Sequence, residues 1–307
     1  MNIKKNKQFG KVAVLLGGSS SEREISLKSG QAVFNALIRQ GVDAVSIDVD
    51  DHILQSLQTE HYDCAFIVLH GAGGEDGVIQ GALETIKLPY TGTGVMGSAL
   101  AMDKIKTKQI WQSCNLPTPS YVVVQHKADL LDVPKKLNWP VIVKPVTGGS
   151  SIGMAKVESE VELMVAWENA RQYDSVVLVE QWIVGKEYTI SILDNNALPV
   201  IKLKTPNEFY DYEAKYASET TQYECPCGLT EDQEFAVKAI ALQAFNVLDC
   251  KDWGRVDVMV DDYNKLWLLE VNTVPGMTDH SLVPMAAKAD GMGFDELVLK
   301  ILDLSVH

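Results

Sequence analysis

Two apolar runs separated by a short polar cluster constrain the fold of this chain more than any other feature. The runs are residues 256–260 and 266–271, and the cluster between them is D-D-Y-N-K at residues 261–265. Apolar runs of this length joined by polar turn residues predict a β-hairpin. The last third of the chain is therefore expected to contain a pair of antiparallel strands.

The predicted register of this hairpin brings two carboxylates together. With residues 262–265 as the turn, Asp261 lies opposite Leu266, and counting back places Asp257 opposite Glu270. Directly opposed residues have Cβ atoms about 4.5–5.5 Å apart. Two carboxylates at that separation repel each other unless a cation lies between them.

The residue types in the hairpin favour a hard cation. Because side chains alternate along a strand, two sets are each expected on one face: Arg255, Asp257 and Met259, and Leu268, Glu270 and Asn272. Asp, Glu and Asn provide oxygen ligands, which suit Mg²⁺. The alternative is a solvated sheet edge with scattered acids. Glu270 weighs against that alternative, because a bare charge inside its apolar run would be costly to bury.

Composition and charge exclude several classes of protein. The chain has 307 residues, 46% of them hydrophobic, and a net charge of −14 at pH 7. It is long enough for two or three domains and lacks the basic surface of a nucleic-acid binder. Its five cysteines have no zinc-type spacing, which favours a reducing compartment. Without an apolar signal sequence or a long apolar run, we expect a cytoplasmic protein with no membrane partner.

The first hundred residues predict an α/β domain with a parallel sheet, because strands alternate with helices. Strands are expected at residues 12–16, 44–47 and 64–69. Ser21 and Glu24 fit a capping box that opens the first helix, and Gly41 ends it.

Two candidate site residues follow strands of this sheet. Ligands of parallel sheets bind at the carboxyl ends of the strands. Glu22 follows the Gly-Gly turn after the first strand, and His70 follows the third strand. The alternatives are that Glu22 is a partner of the helix dipole and that His70 is a strand-end histidine bonded to the backbone.

The segment G-T-G-V-M-G at residues 92–97 matches a dinucleotide-binding pattern but lacks its context. Pro89 interrupts the preceding strand, and no acidic residue follows about 20 positions later. Nicotinamide or flavin binding is therefore not expected. A Walker-type phosphate loop is also missing from the sequence.

A different phosphate-binding pattern lies in the middle of the chain. Residues 98–114 predict one helix, and a domain boundary is expected near residues 98–118. Lys144 then ends an apolar strand, and G-G-S-S-I-G follows at residues 148–153. Glycine allows backbone N–H groups to approach an anion, and serine adds donors. This pattern favours phosphate binding over a snorkelling lysine beside a flexible hairpin loop.

The following segment suits the rest of a nucleotide site. A buried strand at residues 176–179 ends in Glu180, and residues 181–187 suit a hinge that grips a base and a ribose. Residues 209–216 are polar and aromatic without a clear period, which fits an active-site lid or an ordinary connection. Between them, two strands are expected at residues 188–193 and 198–203.

Nine segments in this order resemble the D-alanine–D-alanine ligases of the ATP-grasp superfamily. They are LLGGSSSERE at residues 15–24, HGAGGEDG at 70–77, YTGTG at 90–94, MDK at 102–104, KP with GSSIG within 144–153, FYDYEAKY at 209–216, GRVD at 254–257, LEVNTVPGMT at 269–278 and HSLVP at 280–284. The resemblance covers nearly the whole chain. It implies an ATP-grasp fold preceded by an N-terminal parallel-sheet α/β domain.

The resemblance also implies the chemistry. ATP phosphorylates the carboxylate of one D-alanine, and the amine of a second attacks the acyl phosphate to give D-alanyl-D-alanine for peptidoglycan synthesis. The expected cofactors are two Mg²⁺ or Mn²⁺ ions, and the expected assembly is a homodimer. Three domains are expected, at residues 1–103, 104–187 and 188–307.

The matching positions have expected roles by the same resemblance. Glu22 and His70 belong to the first amino-acid site, and Arg255 stabilises the tetrahedral oxyanion. Ser150 and Tyr216 link the lid to Glu22. The expected ATP residues are Lys104, Lys144, Glu180, Trp182, Glu187 and Lys215. The expected metal ligands are Asp257, Glu270 and Asn272, and the second carboxylate is held by Gly276, Ser281 and Leu282.

Some positions and alternatives remain open at this stage. The sequence departs from the family pattern at Ala72, Gly148 and Val274. A depsipeptide or another D-amino-acid pair is an alternative product, although a neutral phenol at Tyr216 favours the dipeptide, because a cationic histidine there would repel the incoming ammonium. A catalytically idle ATP-binding module is the alternative outside the class. Such a module is expected to lack part of the set Arg255, Asp257, Glu270 and Asn272, which is complete here.

Overall fold

The first elements alternate between strand and helix and form a parallel sheet. The computed structural model describes residues 6–149, 151–204 and 222–305. The elements are β1 (Asn6–Gly17), α1 (Arg23–Arg39), β2 (Val42–Val49), α2 (Ile53–Glu60), β3 (Cys64–Ile67), α3 (Val78–Thr85) and α4 (Val95–Met102). β1 lies between β2 and β3, with Val12 beside Ala44 and Cys64. The predicted parallel sheet is confirmed.

The central elements form an antiparallel sheet with the strand order β4-β7-β5-β6. They are α5 (Lys104–Ser113), β4 (Tyr121–Val124), α6 (Val133–Lys136), β5 (Val141–Pro145), β6 (Ala155–Val157), α7 (Glu160–Ala170) and β7 (Val177–Gln181). A 3-10 helix at Lys127–Asp132 precedes α6. The glycine-rich segment after Lys144 is the connection of the β5–β6 hairpin.

The remaining strands form a second antiparallel sheet with the order β11-β10-β8-β12-β13, and β9 pairs with β8. The elements are β8 (Gly185–Leu193), β9 (Asn196–Ala197), β10 (Ile201–Lys204), β11 (Gln222–Glu224), α8 (Glu231–Asn246), β12 (Trp253–Asp261), β13 (Leu266–Asn272), α9 (Leu282–Ala289) and α10 (Phe294–Leu304). The strand predicted at residues 198–203 is shorter than expected, since β10 begins at Ile201.

The last two helices return to the first sheet. Val283 of α9 and Ile301 of α10 are buried in the same apolar cluster as Val14 of β1. Arg39 of α1 donates to both carboxylate oxygens of Asp295 at the start of α10, over 2.9 and 2.5 Å. Burial of apolar surface is the main favourable term in such packing, so the two ends of the chain share one core. None of the helices in the described ranges is both long enough and apolar enough to span a membrane.

Residues 98–114 do not form one helix, which corrects the prediction. Asp103 separates α4 from α5 and accepts hydrogen bonds from the N–H groups of Ile105 and Lys106, at 2.9 and 3.0 Å. Aspartate at an N-cap position satisfies backbone donors that have no partner inside the helix. The chain therefore ends one helix and starts another at this residue.

The predicted capping box of α1 is also wrong. Neither Ser21 nor Glu24 caps the helix, and Glu22 takes the N-cap position without a side-chain cap. The serine that forms side-chain hydrogen bonds at this helix start is Ser20. Its Oγ accepts from the Glu22 N–H at 3.1 Å and donates to the His70 carbonyl at 2.6 Å. Ser20 therefore joins the two loops that carry the predicted first-substrate residues.

Candidate active site

A cleft of about 650 Å³ lies between the central sheet and the sheet that contains the β12–β13 hairpin. Each of the predicted ATP residues that the structure describes lines this cleft: Lys104, Lys144, Glu180, Trp182 and Glu187. Asp257 and Glu270 line it from the opposite sheet. The volume is in the range of small-molecule sites. Ser150, Lys215, Tyr216 and the predicted lid at residues 209–216 lie outside the described residues.

The hairpin places Asp257 directly opposite Glu270, as predicted, although the predicted register near the turn is wrong. Leu266 pairs with Val260 instead of Asp261. The register then shifts by one residue between Val258 and Asp257. A β-bulge inserts one extra residue into one strand, and this shift restores the pairing of the two carboxylates.

The bulge also changes which residues share a face. Leu268 was expected beside Glu270, but it pairs with Val258 and is fully buried in the apolar core. Leu269 and Glu270 line the cleft. An extra residue shifts the alternation of side chains. In the part of β13 nearest the turn, the side chains predicted to face the cleft therefore face the core.

Asp257 is buried and has a full set of partners. Its Oδ1 accepts from Thr189 Oγ1 at 2.8 Å and from Arg255 Nε at 2.9 Å. Its Oδ2 accepts from Arg255 Nη2 at 2.8 Å and from Asn272 Nδ2 at 3.2 Å. A bidentate guanidinium–carboxylate pair is strong and geometrically specific. Arg255 therefore neutralises Asp257 in this state and is held beside the cleft.

The donor set of the hairpin fits a hard cation bound together with phosphate. Within the described ranges, no three or more His, Cys, Asp or Glu side chains are grouped to hold a metal ion. Asp257, Glu270 and Asn272 instead offer two carboxylates and an amide. Mg²⁺ is usually bound by one or two carboxylates, with substrate phosphates and waters as further ligands. The residue types of the hairpin therefore fit the ligands that a protein usually provides to such an ion.

Lys144 and Glu180 meet because of the strand register. Glu180 pairs with Ile142, and Lys144 lies two residues further along β5 on the same face. Diagonal neighbours of this kind are within reach of long side chains. Lys144 Nζ contacts Glu180 Oε2, and Lys108 Nζ of α5 contacts Glu180 Oε1. Sequence reasoning missed Lys108, because nothing in a helical repeat indicates which buried acid a lysine meets.

The two lysines keep Glu180 ionised, although burial lowers the pKa of Lys108 itself. Burial by itself raises the pKa of Glu180, but Lys108 and Lys144 outweigh burial and hold that pKa below its ordinary value. Burial lowers the pKa of Lys144, but the negative charges of Glu180, Glu270 and Glu187 raise it more. Lys144 is therefore a cation facing acidic groups of the cleft.

The glycine-rich loop after β5 is held over Glu22. Lys104 Nζ donates to the Gly148 carbonyl at 2.7 Å, and Asp174 accepts from the N–H and hydroxyl of Thr147 at 2.9 and 2.7 Å. A Cβ built on Gly149 would lie 2.9 Å from Glu22 Oε2. The loop that precedes Ser150 thus contacts the buried carboxylate of the first domain directly.

His70 is buried, and the protein occupies both nitrogens of its ring. Nδ1 lies 2.8 Å from the Val274 carbonyl, and Nε2 lies 3.4 Å from Ser29 Oγ, which accepts from the Met277 N–H at 3.1 Å. A carbonyl only accepts, so Nδ1 carries the proton. Burial lowers the pKa of His70, which favours the neutral ring. The alternative that His70 is bonded to the backbone is therefore correct for Nδ1. Ser29, the partner of Nε2, was not indicated by the sequence.

Glu75 is an acid near Glu22 that the sequence analysis did not single out. It lies in the H-G-A-G-G-E-D-G segment at residues 70–77. Its carboxylate accepts from the Gly71 N–H at 2.7 Å and from the Val274 N–H at 3.3 Å. Burial and the negative charge of Glu22 raise the pKa of Glu75 to about 8. Glu75 accepts from the Val274 N–H and His70 bonds to the Val274 carbonyl, so Val274 contributes through its backbone.

Replacing Glu75 with Gln is expected to flatten the pH dependence of stability. The pKa of Glu75 is raised in the folded state from 4.5 to about 8, so its contribution is complete below pH 4.5 and is lost as the pH rises to about 8. Between about pH 5 and pH 8, the unmodified protein should lose on the order of 3 to 4 kcal/mol more unfolding free energy than Glu75→Gln. Urea unfolding at both pH values measures this difference.

The matched control for Glu75→Gln is Glu24→Gln at an exposed position of α1. One of the two hydrogen bonds to Glu75 is lost in the glutamine variant, so the informative quantity is the change between pH values. An equal change in Glu75→Gln and the unmodified protein would contradict a titration of Glu75 in this range.

Gly276, Ser281 and Leu282 lie together at the start of α9. A Cβ on Gly276 would lie 2.9 Å from Ser281 Oγ, and Ser281 is the residue that precedes α9. Thr278 donates its N–H to Ser281 Oγ at 2.9 Å. Exposed N–H groups and the helix dipole favour an anion at such a helix start, so the group is suited to a carboxylate.

Comparison with solved structures identifies the fold class. The structure of D-alanine–D-alanine ligase from Bacillus anthracis complexed with ATP matches with a TM-score of 0.86 and 32% identity, covering 96% of this chain and 97% of that chain. The VanG D-Ala:D-Ser ligase from Enterococcus faecalis matches with a TM-score of 0.84 and 28% identity, covering 96% and 99%. The fold is that of ATP-grasp enzymes with an N-terminal parallel-sheet domain.

Sequence comparisons give the family. The family models described as D-ala D-ala ligase N-terminus and C-terminus match residues 51–93 and 110–303. The D-alanine–D-alanine ligase of Pseudomonas putida strain GB-1 is 56% identical over 300 residues, covering 98% of this chain and 94% of the relative. That of Acinetobacter baumannii is 55% identical over 302 residues, covering 98% and 97%. This chain belongs to the D-alanine–D-alanine ligase family.

Proposed function

We propose that this protein is an ADP-forming ligase that joins two D-alanines to D-alanyl-D-alanine for peptidoglycan precursor synthesis. The observation that best supports this proposal is that two pairs of charged residues line one cleft. They are Lys144 and Glu180 of the central sheet, and Asp257 and Glu270 of the hairpin. Phosphoryl transfer depends mainly on positioning and on neutralising charge. Lys144 would hold the phosphates from one side, and divalent cations bound by Asp257 and Glu270 would hold them from the other.

The proposed metal ligands are Asp257, Glu270 and Asn272, and the expected ions are two Mg²⁺ or Mn²⁺. Bound there, divalent ions would supply Lewis-acid neutralisation of the phosphate charge. Arg255 is already beside the cleft and paired with Asp257. Its guanidinium would stabilise negative charge that develops on the acyl group, which is usually a large contribution to catalysis.

The proposed substrate residues follow strands of the first sheet or lie at the start of α9. Glu22 is 6% exposed, and its carboxylate would bind the ammonium group of the first D-alanine beside His70. The group Gly276, Ser281 and Leu282 would bind the carboxylate of the second. Ser150 and Tyr216 would complete the link between the lid and Glu22, and Lys215 would reach the ATP phosphates.

The function predicts phosphate release from ATP that depends on D-alanine. With Mg²⁺ present, omitting D-alanine is expected to reduce phosphate release to background, since both the carboxylate that accepts the phosphoryl group and the amine that displaces phosphate are missing. Coupled phosphate detection measures the rate, and mass spectrometry identifies D-alanyl-D-alanine. ATP hydrolysis that is independent of D-alanine would contradict the proposal.

Competition between nucleophiles tests the product. The likeness to a D-Ala:D-Ser ligase makes D-serine a specific alternative, and D-lactate tests the depsipeptide. We expect the dipeptide of D-alanine to predominate near neutral pH, with Tyr216→His shifting products towards D-lactate at lower pH because a cationic histidine repels the ammonium. Predominant depsipeptide from the unmodified enzyme would contradict the role of Tyr216 and leave the ligase class intact.

We further propose a cytoplasmic homodimer with domains at residues 1–103, 104–187 and 188–307 and with no nucleic-acid or membrane partner.

The proposed dimer would use an exposed apolar surface at α3 and α4. Val78 at the start of α3 and Met96 in α4 are 64% and 58% exposed. Their helices meet where Gly77 approaches the Val95 carbonyl, so the two apolar side chains belong to one surface. Light scattering of the purified protein measures the mass directly.

A further inference from the structure

Glu180 is paired with one lysine at each of its carboxylate oxygens. Lys108 contacts Oε1 and Lys144 contacts Oε2. The side chain of Glu180 is 2% exposed, so its charge depends on these two partners. Removing one partner of a buried ion pair is strongly destabilising, because an uncompensated charge remains.

The two lysines differ in their access to the cleft. Lys144 lines the cleft and its side chain is 10% exposed, whereas the side chain of Lys108 is 1% exposed. Lys144 can therefore reach a bound ligand, and Lys108 lies behind Glu180. Lys108 belongs to α5, outside the two sheets that form the cleft.

The protein satisfies the whole ammonium group of Lys108. Besides Glu180, its Nζ donates to Thr118 Oγ1 at 2.5 Å and to the Pro119 carbonyl at 3.1 Å. Three acceptors match the three donors of an ammonium group. Thr118 Oγ1 donates in turn to the Leu268 carbonyl of β13 at 3.0 Å. Lys108 is thus fixed in place and has no donor left for a ligand.

We propose that Lys108 is a positioning residue for ATP: it stays paired with Glu180, so that Lys144 can turn from Glu180 to a phosphate without leaving a buried, unpaired carboxylate. This inference rests on the proposed function, which makes the cleft a nucleotide site. Without Lys108, Glu180 would have Lys144 as its remaining close cation and would retain it. The phosphates of ATP would then compete with Glu180 for one lysine.

The first test compares binding of ATP and adenosine to Lys108→Met by isothermal titration calorimetry. Affinity for ATP is expected to fall by about tenfold or more, because Lys144 is retained by Glu180. Affinity for adenosine is expected to change by less than about threefold, because adenosine has no phosphate for Lys144 to bind. A general distortion of the cleft would weaken both ligands alike, and that result would overturn the proposal, as would unchanged affinity for ATP.

The second test removes the charge of Glu180. In the Glu180→Gln background, Lys144 has no buried carboxylate to neutralise, so adding Lys108→Met should change ATP affinity by less than about threefold. A loss as large as in the unmodified background would overturn the proposal. If Lys108→Met alone does not fold, Lys108→Arg replaces it: arginine keeps a cation beside Glu180 and should retain ATP affinity within about threefold, and a tenfold loss there would overturn the proposal.

The controls separate this inference from the proposed function. Lys106→Met removes an exposed lysine of the same helix and should leave ATP affinity unchanged. Failure of the unmodified enzyme to bind ATP or to release phosphate with D-alanine would contradict the proposed function itself. Normal ligase activity in the unmodified enzyme, with ATP and adenosine binding unaffected in Lys108→Met, would contradict the role of Lys108 alone.

Discussion

Replacing Glu270 with Gln is expected to lower kcat by at least about 100-fold, the range seen when one preorganised electrostatic group is removed from an active site. Glutamine keeps the shape of the side chain but removes the charge that would attract a divalent cation. Glu270 lies opposite Asp257 and lines the cleft. The fold should be retained, because Leu268 and Val271 on the other face of β13 form the buried contact with the core.

Activity as a function of Mg²⁺ concentration measures this effect, and binding of Mn²⁺ in the presence of ATP provides a readout independent of turnover. Asp257→Asn should be at least as damaging, since it also weakens the ion pair with Arg255. The matched control is Asp262→Asn, an exposed acid in the turn of the same hairpin. Near-native kcat in Glu270→Gln at low Mg²⁺ would contradict the metal assignment.

Replacing Gly149 with Ala is expected to lower kcat/KM for D-alanine on the order of 100-fold, the cost of a misplacement of about 1 Å at a reacting centre. The added Cβ would lie 2.9 Å from Glu22 Oε2 and 3.2 Å from Oε1. Either the loop or the carboxylate must therefore move. Glu22 has little room to move, because it is only 6% exposed and the Gly71 backbone is close enough that a Cβ built there would lie 2.8 Å from Oε2.

Steady-state kinetics with D-alanine varied at saturating ATP measure this loss. Adenosine affinity should change much less, because the proposed contacts of the base and ribose are Trp182 and its neighbours, which line the cleft on another segment. Gly293→Ala is the glycine control, since a Cβ there meets nothing within 4 Å and its φ is −70°. Equal kcat/KM values in Gly149→Ala and the unmodified enzyme would show that the loop does not constrain Glu22.

Local patterns in the sequence were sufficient to predict most of the secondary structure around the site. The parallel sheet follows from strands alternating with helices, and the hairpin follows from two apolar runs around a polar turn. Lys144 was placed correctly at the end of a strand and before a glycine-rich connection. The helix break at Asp103 was missed, although Asp is a strong N-cap residue, because the apolar pattern continues across it.

The opposition of Asp257 and Glu270 was predicted with an incorrect register near the turn. The count from the turn was wrong by one residue, and the β-bulge in the hairpin shifts the pairing by one residue in the compensating direction. The edge of β13 at this point bonds to a distant segment: the Leu268 N–H donates to the Pro117 carbonyl at 2.8 Å. Long-range backbone bonds of this kind leave no local signal, so a strand pattern cannot reveal the bulge.

The sequence by itself determined which elements form and which residues follow each strand. Tertiary structure alone decided which side chains meet: Lys108 with Glu180, Glu75 with Val274, and Gly149 with Glu22. These partners are 72, 199 and 127 residues apart in the printed sequence. The physical reason is that propensity, capping and hydrophobic period act over one or two turns of chain. Ion pairing and close packing act through space, once the core has brought distant segments together.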